Sequence, residues 1–364
     1  MTPALRALHV LAGLQSSSSD PLDLSADADF LLVLVRTAVD HGLIALLGRA
    51  ILDGRLQAVP EPVCADLIQA ARLNSERNQQ FQREALQLIN LCAGLGLMPA
   101  LLKSTALLLE PREHYLMDRL VGDLDILLPE ADISVLVTAL QTLGFVCDAR
   151  GEIDSPWLKH YPRLVAMDHM APIEIHRNLA EVAWRDVLLG VDALAHAQKL
   201  GAYLSGTRLS PEDRMIHAFV HDQLDNRGWW YAKVELRGAY DAVHELVHAD
   251  QAYDWLYIER QLASHHLFER FQIWLSWLAQ LYPQLAQLLP FAPKAEAVRY
   301  ARVAARGDIF WRGLWADLIA ELEQLLSSSL YRQRAWHRVC TPAAYRERLG
   351  RLRARFRHAA APGA

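Results

Sequence analysis

Two carboxylates, one residue apart, interrupt an apolar run at residues 119–128, which reads Arg-Leu-Val-Gly-Asp-Leu-Asp-Ile-Leu-Leu. Side chains alternate between the faces of a β-strand, so a strand here would point Asp123 and Asp125 the same way and bury Leu124 and Ile126. Neighbouring carboxylates repel each other, and removing them from water is costly. A divalent cation held between them would relieve the conflict, and hard oxygen ligands of this kind suit Mg²⁺ and a substrate phosphate.

The surrounding residues decide between this interpretation and a plainer one. Gly122 and Pro129 bracket the pair, so the Asp-x-Asp pattern alone also fits a solvated strand end beside a turn. Upstream, an apolar run ends in Lys103 and leads into a predicted helix, for which Ser104 or Thr105 is the expected N-cap. Such a strand-to-helix junction can bind an anion through backbone N–H groups, with Lys103 adding charge for a triphosphate. An ordinary turn with a solvated lysine is the alternative.

A third acid lies on a second predicted strand, at residues 171–176. The alternation of this segment predicts that Ile173 and Ile175 face the core and that Glu174 and His176 share the opposite face. A third carboxylate on a neighbouring strand is what a two-metal site for phosphoryl transfer needs to complete its ligands.

Short motifs follow one another along the chain in this order: Leu102-Lys103-Ser104, Arg119, residues 122–128, Leu143-Gly144-Phe145, and residues 173–176. The ordered set resembles the nucleotidyltransferase superfamily of the DNA polymerase β type. More closely, it resembles the bacterial branch of uncharacterised nucleotidyltransferase family proteins, over roughly residues 35–250. That branch typically reads Lys-Gly where this chain has Lys103-Ser104, so a glycine that lets the backbone approach phosphates closely is replaced.

The resemblance implies a transfer of a nucleoside monophosphate, expected to be AMP from ATP, that depends on Mg²⁺ or Mn²⁺ and releases pyrophosphate. Asp123 and Asp125 would hold both metal ions, and Glu174 would complete the catalytic site and help to deprotonate the acceptor. His176 could orient the acceptor or pack behind the site. Arg119 would neutralise charge or brace the Asp strand, or could equally form a structural ion pair. The acceptor stays open among a peptide, a natural product, a sugar and another protein. The expected nucleotide-binding residues are Lys103, Ser104, Thr105, Arg119 and Gly122.

Secondary-structure signals predict an α+β fold: a small nucleotidyltransferase-type mixed α/β core flanked by helical regions, and mostly helical overall. An apolar helix capped by Ser25 or Asp27 is predicted to run to about Ile51, and one long helix or two to cover residues 63–93. Strand signals fade after Ala193. The predicted boundaries are residues 1–95 for an N-terminal helical region, 96–185 for the core, 186–330 for a C-terminal helical domain, and 331–364 for a basic helical tail.

Composition narrows the class of protein. Of the 364 residues 52% are hydrophobic, which predicts a compact globular protein, and a net charge of −5 argues against a surface devoted to nucleic acid. Four scattered cysteines without a Cys-x-x-Cys pair fit the reduced thiols of a cytoplasmic protein. Residues 1–14 are predicted to form a helix and not a signal peptide, and no apolar run is long enough to span a membrane. The expected partners are therefore a nucleoside triphosphate and its acceptor.

The basic tail is the one segment that fits an anionic partner such as a nucleic acid. Residues 332–357 contain nine arginines and a single acid, Glu347. Leu349, Leu352 and Phe356 follow the spacing of an apolar helix face, so a solvated helix packed through this stripe is the favoured interpretation.

Two alternatives belong to other classes of protein. His244, Glu245 and His248 match the His-Glu-x-x-His pattern of zinc peptidases, in which two histidines bind zinc and the glutamate activates water. No third-ligand motif follows, and Asp250 stands close by, so a polar helix face is favoured over a protease. A non-catalytic binding protein that kept the fold is the other alternative. The presence of all three candidate acids favours an enzyme.

Overall fold

The computed structural model describes residues 2–16, 21–24, 28–110, 115–148, 154–201, 205–247, 252–297 and 310–339. Within these ranges the chain is a mixed α/β protein, mostly helical, with helical regions on both sides of a central sheet, as the sequence predicts. No described helix combines the length and apolarity needed to cross a membrane. The cysteines in these ranges, Cys64, Cys92 and Cys147, are free thiols.

Four helices form the N-terminal region: α1 (Pro3–Gln15), α2 (Ala28–Asp40), α3 (Ile44–Leu52) and α4 (Glu61–Gly94). The prediction of one helix up to about Ile51 is wrong, because Gly42 adopts a left-handed backbone conformation with φ +63° and separates α2 from α3. Its predicted caps lie outside the described residues. Residues 63–93 belong to a single helix, α4.

A close approach fixes α3 against α4. A Cβ atom added to Gly48 would lie 2.0 Å from the carbonyl oxygen of Leu67, so only glycine permits this packing distance. This contact matters because α4 runs along the sheet and holds the loops that carry the candidate site. A parallel pair of two-residue strands, β1 (Leu22–Asp23) and β2 (Leu56–Gln57), joins the same region.

Among the described residues, the main sheet has seven strands in the order β5-β6-β7-β4-β3-β9-β8. The two longest strands, β4 and β7, are parallel neighbours at its centre, and β3 runs antiparallel to β4. The strands are β3 (Ala100–Leu101), β4 (Leu124–Leu127), β5 (Val146–Cys147), β6 (Leu164–Val165), β7 (Ile173–His176), β8 (Gln198–Lys199) and β9 (Thr207–Arg208).

Further helices follow the central strands along the chain. Those that follow β3 and β4 are α5 (Lys103–Leu109), α6 (Tyr115–Asp118) and α7 (Glu130–Thr142). The C-terminal region contains α8 (Gly190–Ala195), α9 (Pro211–Phe219), a π-helical turn (Val220–Asp225), α10 (Gly228–Tyr231), α11 (Leu236–Val247), α12 (Trp255–Ala263), α13 (Phe268–Leu281), α14 (Phe310–Ser327) and α15 (Ser329–Val339).

The faces of the sheet belong to two hydrophobic cores. Leu124, Ile126, Ile173 and Ile175 are buried against α4 and α7, in agreement with the predicted alternation. Leu127 belongs to the other core, which the N- and C-terminal helices share. The polar residues of β4 and β7 therefore project towards the C-terminal helices.

Two parts of the structure bear on the predicted domain boundaries. Strands β8 and β9 lie after the predicted end of the α/β core at residue 185, and two-residue edge strands are too short for alternation to reveal them. The sheet therefore includes strands from both sides of the predicted boundary at residue 185, and the domain boundaries stay a prediction. Residues 331–339 of the predicted tail are helical in α15, whereas Leu349, Leu352 and Phe356 lie outside the described residues.

Candidate active site

Strand pairing brings the second and third acids together. In the parallel ladder of β4 and β7, Asp125 is the register partner of Glu174, and Leu127 is the partner of His176. Directly paired residues point their side chains to the same face of a sheet, so the carboxylates of Asp125 and Glu174 stand side by side. This adjacency is the arrangement that the sequence motif needs for a shared cation.

Asp125 is 1% exposed and is held on every side. Its Oδ1 accepts a hydrogen bond from the ammonium of Lys103 at 3.1 Å and lies 2.7 Å from Nε2 of the fully buried His176. Its backbone N–H donates to the hydroxyl of Thr105 at 2.7 Å, and its carbonyl accepts from the N–H of Leu102 at 3.0 Å. These bonds fix the carboxylate in one orientation.

The acids differ in their ionisation. Burial alone would raise the pKa of Asp125, but Lys103 and His176 outweigh it and hold that pKa well below its usual range. Burial, followed by repulsion from Asp125 and Glu174, raises the pKa of Asp123 to about 6. Burial opposes the charge of Lys103, yet the nearby carboxylates raise its pKa, so it stays an ammonium. The ammonium of Lys103 therefore does not balance the negative charge at Asp123, and a metal cation would stabilise that charge.

The donor set fits a divalent ion. Among the described residues, Asp125, Glu174 and His176 form the one group whose potential ligand atoms all lie within 4.8 Å of one another. Nε2 of His176 lies 2.7 Å from Oδ1 of Asp125 and 3.8 Å from Oε2 of Glu174, so the three side chains are near enough to share one ion. Carboxylates suit Mg²⁺ and Mn²⁺, whereas imidazole is also common on other transition metals. These residues could hold a metal whose identity the geometry does not specify.

Helix α5 begins at Lys103, so the prediction that Ser104 or Thr105 caps it is wrong: Leu102 is the N-cap, and no side chain caps the helix. Lys103 adopts a left-handed conformation with φ +45°, which residues other than glycine rarely adopt and which concentrates at functional sites. At this turn the N–H of Leu102 donates to the carbonyl of Asp125, and the Lys103 side chain contacts the carboxylate of the same residue. A glycine at position 104 would favour a left-handed conformation, but in this chain that conformation occurs one residue earlier, at Lys103.

A cleft of about 480 Å³ opens over this face of the sheet. Its other wall comes from α9, the π-helical turn and α11, and includes Arg214, His217, His221 and Glu245. The sequence-predicted residues that line the cleft are Lys103, Ser104, Arg119, Gly122, Asp123, Asp125 and Glu174. The fold therefore collects most of the predicted site residues in one cavity of the size of a small-molecule site.

Thr105 and His176 are the predicted residues that do not line the cleft. Thr105 is 1% exposed, and its hydroxyl accepts the backbone N–H of Asp125. His176 is 0% exposed behind Asp125, with Nδ1 3.3 Å from the carbonyl of Asn178. Both residues are buried and contact Asp125.

Arg119 lies at the edge of the cleft but is engaged by the protein. Its Nε and a terminal nitrogen both lie 3.0 Å from Oδ2 of Asp241 on α11, and its own carbonyl accepts hydrogen bonds from Asn74 and Asn78 of α4. Of the two roles open from the sequence, this geometry matches the structural ion pair. Arg119 thereby ties the loop before the Asp strand to helices on both sides.

Sequence reasoning missed the residues of α4 that hold the site loops. Arg77 donates to the carbonyl of Val121, just before Asp123, and Glu84 accepts the backbone N–H of Ala171 at 2.8 Å, just before β7. Polar residues on an otherwise apolar helix face were the signal that could have revealed them, because buried polar groups need partners. Helix α4 therefore fixes the starts of both central strands.

The zinc-peptidase pattern lies on and beyond α11. Glu245 forms an ion pair with Arg214 at 2.6 Å, and His244 packs edge-on against Tyr240 with ring centroids 5.7 Å apart. An arginine on the glutamate opposes the general-base role that the protease reaction requires. His248 and Asp250 lie outside the described residues.

Comparison with known proteins points to the family that the motifs resemble. Residues 31–283, more than two thirds of the chain, match the profile of a family described as uncharacterised nucleotidyltransferase. No curated protein and no solved structure gives a significant match. The matched region contains the whole sheet and both walls of the cleft. The chain belongs to this family of uncharacterised nucleotidyltransferases.

Proposed function

We propose that the protein transfers a nucleoside monophosphate, AMP from ATP, to an acceptor in a reaction that depends on Mg²⁺ or Mn²⁺ and releases pyrophosphate. The observation that carries the proposal is the in-register pair of Asp125 and Glu174 at the wall of a cleft that also contains Asp123. Three acids within one electrostatically coupled group are costly to stability unless a cation joins them. Membership of a nucleotidyltransferase family supports the same chemistry.

Asp123 and Asp125 would hold the metal ions, with Glu174 as the further ligand. When bound, Mg²⁺ or Mn²⁺ supplies charge neutralisation and Lewis acidity at the transferred phosphoryl group. Thr105 and His176 hold Asp125 in the orientation that this role requires, through the bonds to its N–H and its Oδ1. We assign both to positioning, in place of nucleotide or acceptor contact.

Lys103 and Ser104 would face the triphosphate. The Lys103 side chain is 23% exposed within the cleft, so its ammonium can exchange a contact with Asp125 for one with a phosphate oxygen. Gly122 is exposed just before the start of the Asp strand, where it lets a ligand approach the backbone. Arg119 braces this strand through Asp241.

Labelled nucleotides test the proposal directly. With ATP labelled at the α-phosphate, a fractionated cell extract as the source of acceptors and Mg²⁺, label should become attached to an acceptor as pyrophosphate is released, and EDTA should stop both. Glu174→Gln should abolish the transfer, whereas Asp168→Asn, which changes an exposed acid in the loop before β7, should not. ATP binding that needs no divalent metal, measured by calorimetry, would contradict the proposal.

A further inference from the structure

The wall of the cleft opposite the acids carries two histidines one helical turn apart. His217 lies in the last turn of α9, and His221 lies in the π-helical turn that follows. Their ring centroids are 6.2 Å apart, and both line the cleft. π-Helical turns are rare and are frequently found at functional sites.

Each histidine has a buried ring nitrogen without a hydrogen-bond partner. His217 is 5% exposed, and its Nε2 has none among the described residues. Nδ1 of His221 is likewise buried and without one, while its Nε2 lies 3.4 Å from the side chain of Asn226. A buried polar atom left unpaired lowers stability, so such atoms are normally satisfied by a ligand or ordered water.

Burial keeps both imidazoles neutral. It lowers the pKa values of His217 and His221 well below the usual value, and the positive charges of Lys103 and Lys159 lower them further. Asp125 opposes this effect on both rings and lines the same cleft. A neutral imidazole offers one nitrogen that can accept a proton.

We propose that His217, with His221 beside it, forms the acceptor subsite and that Nε2 of His217 accepts the proton of an acceptor hydroxyl. This inference rests on the proposed function. The acceptor O–H bond breaks as its proton passes to Nε2, and the oxygen forms the new bond to the α-phosphorus. The bond from the α-phosphorus to the bridging oxygen breaks, and pyrophosphate leaves.

A neutral imidazole favours a hydroxyl over a cationic amine. An ammonium has no lone pair with which to attack phosphorus until it loses a proton. A hydroxyl donates the hydrogen that Nε2 needs and supplies the attacking oxygen. Glu174 then remains a metal ligand, a role that weakens a carboxylate as a base, and His217 takes the proton in its place.

The test uses water as the acceptor, because hydrolysis of ATP to AMP and pyrophosphate needs no identified ligand. His217→Ala and the bulkier His217→Gln should each lower Mg²⁺-dependent turnover by about 100-fold or more, the range for loss of a general base. Imidazole added to His217→Ala should restore turnover. Affinity for Mg²⁺ with α,β-methylene-ATP, measured by calorimetry, should be unchanged. His244→Ala, a partly buried histidine outside the cleft, is the matched control.

Other results overturn the inference. Wild-type turnover in both His217 variants, or nucleotide affinity that falls in step with turnover, would remove His217 from the acceptor side. Label from the nucleotide recovered on the nitrogen of added ethanolamine, rather than on the hydroxyls of added glycerol, would overturn the choice of a hydroxyl. A wild-type protein that releases no pyrophosphate with Mg²⁺ would overturn the proposed function itself, and the inference with it.

Discussion

Two isosteric substitutions one residue apart should have opposite effects on stability. Asp123→Asn removes a charge that burial, Asp125 and Glu174 all disfavour, whereas Asp125→Asn removes the carboxylate that Lys103 and His176 contact. Both should abolish nucleotidyl transfer, because each removes a proposed metal ligand. Only their effects on unfolding without metal separate the two local environments.

The magnitudes follow from the pKa shift and the ion pair. Raising the pKa of Asp123 from 3.8 to about 6 corresponds to about 3 kcal/mol, and partial exposure reduces the gain from Asp123→Asn to roughly 1–2 kcal/mol. This gain should develop as pH rises from about 4 to 6 and be absent below, where Asp123 is protonated in both states. Asp125→Asn leaves Lys103 without its closest counterion, and partial exposure of that lysine reduces the usual 3–5 kcal/mol to about 2–3 kcal/mol.

The assay is chemical unfolding of both variants and the wild type at pH 8 in EDTA, followed by one spectroscopic probe. The expected order of midpoints is Asp123→Asn above wild type and Asp125→Asn below it. Asp168→Asn, an exposed acid before β7, should match the wild type. An Asp125→Asn variant as stable as the wild type would refute the buried ion pair, and a destabilised Asp123→Asn variant would refute the repulsion.

Three further predictions follow from other parts of the site. Glu174→Gln should lower the rate of the chemical step by orders of magnitude and the affinity for ATP much less. Single-turnover kinetics measures the rate and calorimetry measures the affinity. A parallel loss of affinity would place Glu174 on the nucleotide side. Burial raises the pKa of Asp222 to about 7, so the native protein holds a proton that the unfolded chain releases, and the free energy of unfolding should fall between pH 4 and 7, by up to roughly 4 kcal/mol. Asp222→Asn should flatten that dependence in pH-resolved denaturation, and an unchanged slope would exclude Asp222 as its source. The purified protein should carry no stoichiometric zinc, and the double variant His244→Ala with His248→Ala should leave nucleotidyl transfer unchanged. If elemental analysis finds one zinc per chain, and the double variant loses that zinc together with all activity, the result would favour the peptidase.

The strand faces could be predicted from the sequence, because alternation is a local property. Leu124 and Ile126 are buried on one face of β4, and Ile175 is buried on the same face of β7, as their spacing predicts. The register that sets Asp125 beside Glu174 depends on two strands 49 residues apart, which only the tertiary fold brings together. The family resemblance supplied the expectation that these strands lie close.

Local rules failed where tertiary contacts override them. Lys103 begins its helix in a left-handed conformation and its ammonium contacts Asp125, although Ser104 and Thr105 are the better capping residues. The spacing of His217 and His221 is visible in the sequence, but in a chain with 15 histidines only their burial in the cleft distinguishes the pair. Polar contacts of this kind belong to the assembled fold.

The central claim is that Asp125 and Glu174 jointly hold a divalent metal at a nucleotide site. Crystals grown with Mn²⁺ and α,β-methylene-ATP test it most directly, because Mn²⁺ gives an anomalous signal that locates it. We expect a Mn²⁺ peak within about 2.5 Å of carboxylate oxygens of Asp125 and Glu174, with the triphosphate beside Lys103. A nucleotide bound elsewhere, or Mn²⁺ absent from these two carboxylates, would contradict it.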